Sequence, residues 1–167
     1  YREPAKDQRM RKDVGIGEFH VSATKGDLIK TYALGSCVAV FIWDKAHKVA
    51  GMIHIALPEA KVNEEKARLK PGYFADTGIP AFLQSFTRSG GDQRKAQIKL
   101  AGGASMLDEN HTFDIGSRNV IAIKRALWKY GLGVIAEDVG GKISRTVSIE
   151  VDTGEVLLNN AQRTWSI

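Results

Sequence analysis

The stretch Cys37–Leu57, CVAVFIWDKAHKVAGMIHIAL, decides how this chain folds. Two apolar, β-prone runs, Cys37–Trp43 and Val49–Leu57, flank a short polar loop at Asp44–Lys48. Neither run alternates with polar residues, so each is expected to be buried on both faces. Together they read as an antiparallel hairpin in the middle of a sheet. A loop centred between Lys45 and Ala46 sets Cys37 directly opposite His54. Facing residues on paired strands have Cβ atoms about 4.5–5.5 Å apart, close enough for a thiol to meet an imidazole. A slip of one residue would send the two side chains to opposite faces.

Cys37 is the single cysteine of the chain. In an apolar run such a residue is ordinarily packed core, and a histidine in MIHIAL is ordinarily a hydrogen-bonded core residue. The residues before Cys37 point elsewhere. A Gly35-Ser36 bend at the start of the strand would bare the sulfur and aim backbone N–H groups at a developing oxyanion. An adjacent imidazole can take the thiol proton and leave a reactive ion pair. The second ring nitrogen then needs an orienting partner. Thr31 is the candidate, through its hydroxyl or its carbonyl.

Outward from the hairpin, Tyr1–Asp13 reads as a flexible arm and residues 14–167 as one domain. Val14–Ser22 and Leu28–Ala33 read as strands joined at Lys25-Gly26. Pro58–Pro71 is charged and reads as a mobile loop. Ala75, Ile79, Phe82, Leu83 and Phe86 follow helical spacing, with Pro80 predicting a start near Gly78 or a kink. Gln97–Ala101 is a short strand leading into Gly102-Gly103. A second helix opens at Gly116-Ser117 with Ser117 as its N-cap, lines Val120, Ile123, Leu127 and Tyr130 on one face, and stops at Gly131. Gly133–Asp138 is a further strand, and Ile143–Val151 with Glu155–Asn159 form a hairpin around Asp152-Thr153-Gly154. Mixed strands with two helices predict an α/β or α+β layered domain.

Composition narrows the function classes. A chain of 167 residues suits one domain with a sizeable core. It contains no run of roughly 18 apolar residues, so membrane insertion is not expected. The polar N-terminus shows no signal peptide, and one cysteine fits a reducing compartment, so a cytoplasmic protein is expected. The net charge of +5 favours acidic partners. No nucleic-acid motif accompanies it, so nucleic acid is not expected among them. His20, His47 and His111 read as surface or turn residues, and Gly15-x-Gly17 as close backbone packing rather than a nucleotide loop. No cluster has metal-ligand spacing, so neither metal nor cofactor is expected.

Seven stretches in order carry a family resemblance: GIGEF (15–19), LGSCVAV (34–40), HIALP (54–58), PGYFADT (71–77), KLAGGASM (99–106), IGSRN (115–119) and AEDVGG (136–141). The chain resembles the bacterial chemoreceptor glutamine deamidase family, CheD. The resemblance implies stacked mixed sheets with flanking helices, as in toxin-type cysteine deamidases. It implies Cys37, His54 and Thr31 as the catalytic residues; Gly35 and Ser36, from the bend itself, are the candidate oxyanion and positioning residues. The implied activity is hydrolytic deamidation of glutamines on methyl-accepting chemotaxis receptors, with glutamyl methyl ester hydrolysis open to the same machinery. The implied second partner is a CheC-type phosphatase. The alternative is a regulatory binding module that controls that phosphatase.

Overall fold

The computed structural model describes residues 10–105 and 114–167. The segment read as an arm lies outside this range up to residue 9, as does His111. Among the described residues, ten strands form two five-stranded sheets. The first holds β1 (Arg11–Asp13), β3 (Leu28–Leu34), β8 (Arg145–Glu150), β9 (Val156–Asn159) and β10 (Thr164–Ser166), in that order. The second runs β2 (Phe19–Ser22), β5 (Val49–Ile55), β4 (Val38–Asp44), β6 (Gln97–Gly102), β7 (Val134–Val139). Pairing is antiparallel except for β1 with β3 and β6 with β7. Two mixed sheets flanked by helices make an α+β domain, as the sequence predicts.

Every residue of β4 and β5 is buried, because their sheet is covered on both faces. One face packs on helices α2 (Ala75–Arg88) and α3 (Ile115–Trp128), through Val38, Val40, Ile42, Ile53, Ile55, Phe82 and Ile123. The other packs on the first sheet, through Ala39, Phe41, Met52, Ile29, Leu34, Val147 and Leu158. The layers are therefore sheet, sheet, helices. Each fully buried Leu, Ile or Phe in them contributes about 1.5–3 kcal/mol relative to exposure.

The hairpin register differs from the sequence reading. His54 pairs with Ala39 rather than Cys37, and Asp44 pairs with Val49. The turn is centred one residue later because Asp44 closes it: its carboxylate accepts the N–H groups of Ala46 (3.0 Å) and His47 (3.2 Å). Relative to expectation the pairing moves by two residues. The side-chain period in a strand is also two, so Cys37 and His54 stay on the same face.

Other boundaries also moved. Val14–Glu18 is a turn and the strand begins at Phe19. Arg11–Asp13 is a strand paired in parallel with β3. The Pro58–Pro71 segment, read as a loop, contains a short helix, α1 (Glu64–Leu69), capped by the Asn63 side chain on Lys66 N–H. No residue of α1 is buried, so local capping rather than burial defines it. Helix α2 runs from Ala75 straight through Pro80. Asp114, not Ser117, caps α3, accepting the Ser117 N–H at 3.1 Å. Tyr130 lies beyond the end of α3 and is exposed.

Candidate active site

Cys37 ends a bend that is held on one side. The Gly35 carbonyl accepts from Ala104 N–H (2.8 Å) and the Cys37 carbonyl from Gly103 N–H (2.9 Å). The Ser36 carbonyl between them accepts from the Asn119 side-chain amide at 3.0 Å. Gly102, at φ +110°, lies so close that a Cβ there would collide with the Cys37 carbonyl. Three successive carbonyls thus face a fixed wall. Among the described residues, the Ser36 and Cys37 N–H groups make no hydrogen bond. The thiol is half-buried and packs against the intersheet core, the layer that also receives the β5 side chains Ala50 and Met52.

His54 enters the same layer from β5, two residues beyond Met52. Both of its backbone groups are held by one neighbouring segment: Gly17 N–H donates to its carbonyl (2.8 Å) and its N–H donates to the Glu18 carbonyl (3.0 Å). The GIGEF turn therefore serves as a backbone brace. Gly17 sits at φ +79°, against Tyr73, where a side chain would meet the ring. Opposite Ala39, His54 lies diagonal to Cys37 on the same face, a relation in which side chains of paired strands stand roughly 7–8 Å apart, and no hydrogen bond joins its ring to the Cys37 sulfur among the described residues.

The orienting partner comes from the other sheet. Thr31 on β3 is 1% exposed and its Oγ1 lies 2.7 Å from His54 Nδ1. The same hydroxyl donates its single proton to the Val14 carbonyl at 2.7 Å. A hydroxyl has one proton to give, so toward the imidazole it acts as acceptor. Nδ1 must then carry the ring proton, which leaves the lone pair of the neutral ring on Nε2. That nitrogen is buried and without a hydrogen-bond partner among the described residues. The choice left open by the sequence, hydroxyl or carbonyl, falls to the hydroxyl.

Burial sets the charge state. It pulls the His54 pKa down to about 4 and pushes the Cys37 thiol above its ordinary value. Both shifts oppose a resting thiolate–imidazolium pair, the form the sequence reading anticipated. Burial thus favours the neutral form of both groups.

Asn119 was not singled out from the sequence. It is fully buried, and its amide donates to both the Ser36 and the Ala56 carbonyls at 3.0 Å. Its place inside the IGSRN stretch was the one available signal. Arg145, 3% exposed, was also missed. It donates to Asp138 (2.9 Å) and to the Gly140 carbonyl (3.0 Å), bracing the loops behind Gly102-Gly103. Among the described residues there is no group of three or more His, Cys, Asp or Glu placed to hold a metal ion. None of the described helices is long and apolar enough to cross a membrane.

A thiol, an imidazole with a free lone pair and unengaged backbone N–H donors are the parts that acyl transfer from a carboxamide or ester requires. That is the class of chemistry this end of the domain is equipped for. The chain belongs to the CheD family. The family described as CheD chemotactic sensory transduction matches residues 56–160. A protein of Syntrophotalea carbinolica named probable chemoreceptor glutamine deamidase CheD is 52% identical over 145 residues, covering 86% of this chain and 90% of its own. The chemoreceptor glutamine deamidase CheD of Thermotoga maritima is 39% identical over 149 residues, covering 89% and 91%. A probable member from Thermococcus kodakarensis is 38% identical over 149 residues, covering 88% and 91%.

Proposed function

We propose that the protein hydrolyses glutamine side chains of methyl-accepting chemotaxis receptors to glutamates, with Cys37 as nucleophile, His54 as base and Thr31 as its orienting group. The observation that carries this reading is the chain of hydrogen bonds from Val14 through Thr31 to His54, which leaves Nε2 free on the face it shares with Cys37. Membership of the CheD family supplies the substrate class.

His54 Nε2 takes the thiol proton as the sulfur attacks the carboxamide carbon, and the oxyanion forms against the Ser36 and Cys37 N–H groups. The C–N bond breaks, and the imidazolium gives its proton to the departing ammonia. The thioester is then cleaved by water that the neutral imidazole deprotonates, and glutamate leaves. Burial suits this cycle, because a base that stays neutral in the resting site can accept a proton twice per turnover. A glutamyl methyl ester differs only in its leaving group, so ester hydrolysis falls within the same proposal. So does a CheC-type phosphatase as second partner at this end of the domain.

The test is incubation with receptor cytoplasmic fragments, with ammonia release followed in solution and Gln-to-Glu conversion mapped by mass spectrometry. The expected result is ammonia equal to the new glutamates, at a few defined positions. Intact glutamines after prolonged incubation with folded, thiol-competent protein would end the proposal.

A further inference from the structure

We propose that Asn119 is a positioning residue for the reaction: its side-chain amide aims the Cys37 backbone N–H at the oxyanion and ties that donor to the strand carrying His54. The inference rests on the deamidation reading above.

The Ser36 carbonyl and the Cys37 N–H belong to one planar peptide group, and in the trans form they point in opposite directions. Asn119 Nδ2 holds the carbonyl at 3.0 Å from inside the protein. The N–H is thereby turned away from α3, toward the open side of the bend, where it has no partner among the described residues. A carbonyl that accepts a hydrogen bond also polarises its own peptide group, which makes the N–H a stronger donor.

The same nitrogen donates to the Ala56 carbonyl at 3.0 Å, two residues beyond His54. One amide therefore bridges the residue before the nucleophile and the end of the strand that holds the base. Its orientation is fixed by chemistry: the opposite flip would set an oxygen against two carbonyl oxygens. In the orientation adopted, Oδ1 is buried without a partner among the described residues. A buried, unsatisfied acceptor is a net cost to folding. A residue kept only for packing has no reason to carry that cost, whereas one needed as a double donor does.

Asn119→Leu keeps the volume and removes the donors. Three quantities separate positioning from general loosening: kcat and KM on a receptor fragment, the rate of Cys37 alkylation by iodoacetamide, and the melting temperature. Alkylation uses the sulfur but builds no oxyanion. The expected result is a kcat lowered about 100-fold, the scale of losing one oxyanion donor, with KM and the alkylation rate near wild type. An unchanged kcat, or a joint fall of kcat, alkylation rate and melting temperature, would overturn the inference. If the variant does not fold, the wild-type protein decides. A peptide aldehyde built on the glutamine skeleton adds to Cys37 as a thiohemiacetal, and the Cys37 amide proton should then shift strongly downfield in the NMR spectrum. An unmoved amide proton would overturn the inference equally. Active wild type with an unimpaired variant ends this inference alone, while thiol-competent wild type that leaves receptor glutamines intact ends the deamidation reading itself.

Discussion

Replacing Thr31 by valine removes one oxygen from a chain of three groups. Thr31 is 1% exposed and His54 3% exposed, so water does not fill the loss. Two polar groups are orphaned: the Val14 carbonyl and His54 Nδ1–H. Each costs about 1–3 kcal/mol when buried without a partner, partly offset by the apolar methyl that replaces the hydroxyl. A net destabilisation of about 1–3 kcal/mol follows. The effect on turnover is separate. In the wild type the Nε2–H tautomer forfeits a buried hydrogen bond and turns a lone pair on Nδ1 toward the Thr31 oxygen. A bias of about 1.5–3 kcal/mol therefore favours the tautomer with its lone pair on Nε2. Valine abolishes that bias and frees the ring to rotate, so kcat should fall about tenfold to a hundredfold with little change in KM. Thr31→Ser keeps the oxygen and should retain most of the activity. The assay is steady-state ammonia release from a receptor fragment, with thermal melts of all three proteins. Equal kcat for Thr31→Val and wild type would refute the relay, as would equal losses in valine and serine variants.

Cys37→Ala should remove all turnover while the melting temperature stays close to wild type, because the half-buried thiol sits at the edge of the core; inactivity that comes only with unfolding would return Cys37 to the role of packed residue. His54 adds a pH dependence to stability. Its folded pKa of about 4 lies below the 6.5 of an unfolded histidine, so the unfolded chain binds the proton first. The contribution is whole above pH 6.5 and is lost as pH falls toward 4, reaching about 3 kcal/mol. Denaturant titrations across that window should show a shallower acid loss in His54→Gln, and parallel curves would contradict the buried neutral ring. On the exposed segment Glu59–Lys70, Lys70 donates to the Ile16 carbonyl and Lys66 sits over the Tyr73 ring, whereas Lys61 pairs only with exposed Glu59. Charge reversal at Lys61 and Arg68 should therefore slow receptor processing, more at low salt, and spare a small glutamine amide. Equal losses on both substrates would place the segment inside the catalytic site rather than at its rim.

The sequence disclosed those features whose cause is local. Runs of apolar residues without alternation marked β4 and β5 as central strands, and the bend before Cys37 marked a strand end. The register was misplaced because turn length depends on how the Asp44 carboxylate closes it, which residue types alone do not reveal. The error was harmless to the site since it moved the pairing by a full side-chain period. Charge made Pro58–Pro71 look like a loop, although Asn63 supplies a cap that winds Glu64–Leu69 into a helix without any buried face. Asn119 and Arg145 were illegible for another reason. The partners of Asn119 lie 83 and 63 positions away; Arg145 has Asp138 and Gly140 only 7 and 5 positions away, and its reach to the Gly102 carbonyl, 43 positions away at 3.4 Å, appears only in the fold. A polar residue on a helix or strand reads as solvent-facing until the tertiary fold buries it. That it is the Thr31 hydroxyl, not its carbonyl, that meets His54 Nδ1 needed the Val14 carbonyl in place.

In the proposed mechanism a neutral imidazole, protonated on Nδ1 and held there by Thr31, is the base that meets the Cys37 thiol. Nitrogen NMR of isotope-labelled imidazole reads this directly, because the two ring nitrogens report tautomer and charge separately. The His54 ring is expected to be neutral at neutral pH, with its proton on Nδ1, a lone pair on Nε2, and titration only near pH 4. A ring carrying its proton on Nε2, or already charged at neutral pH, would contradict it.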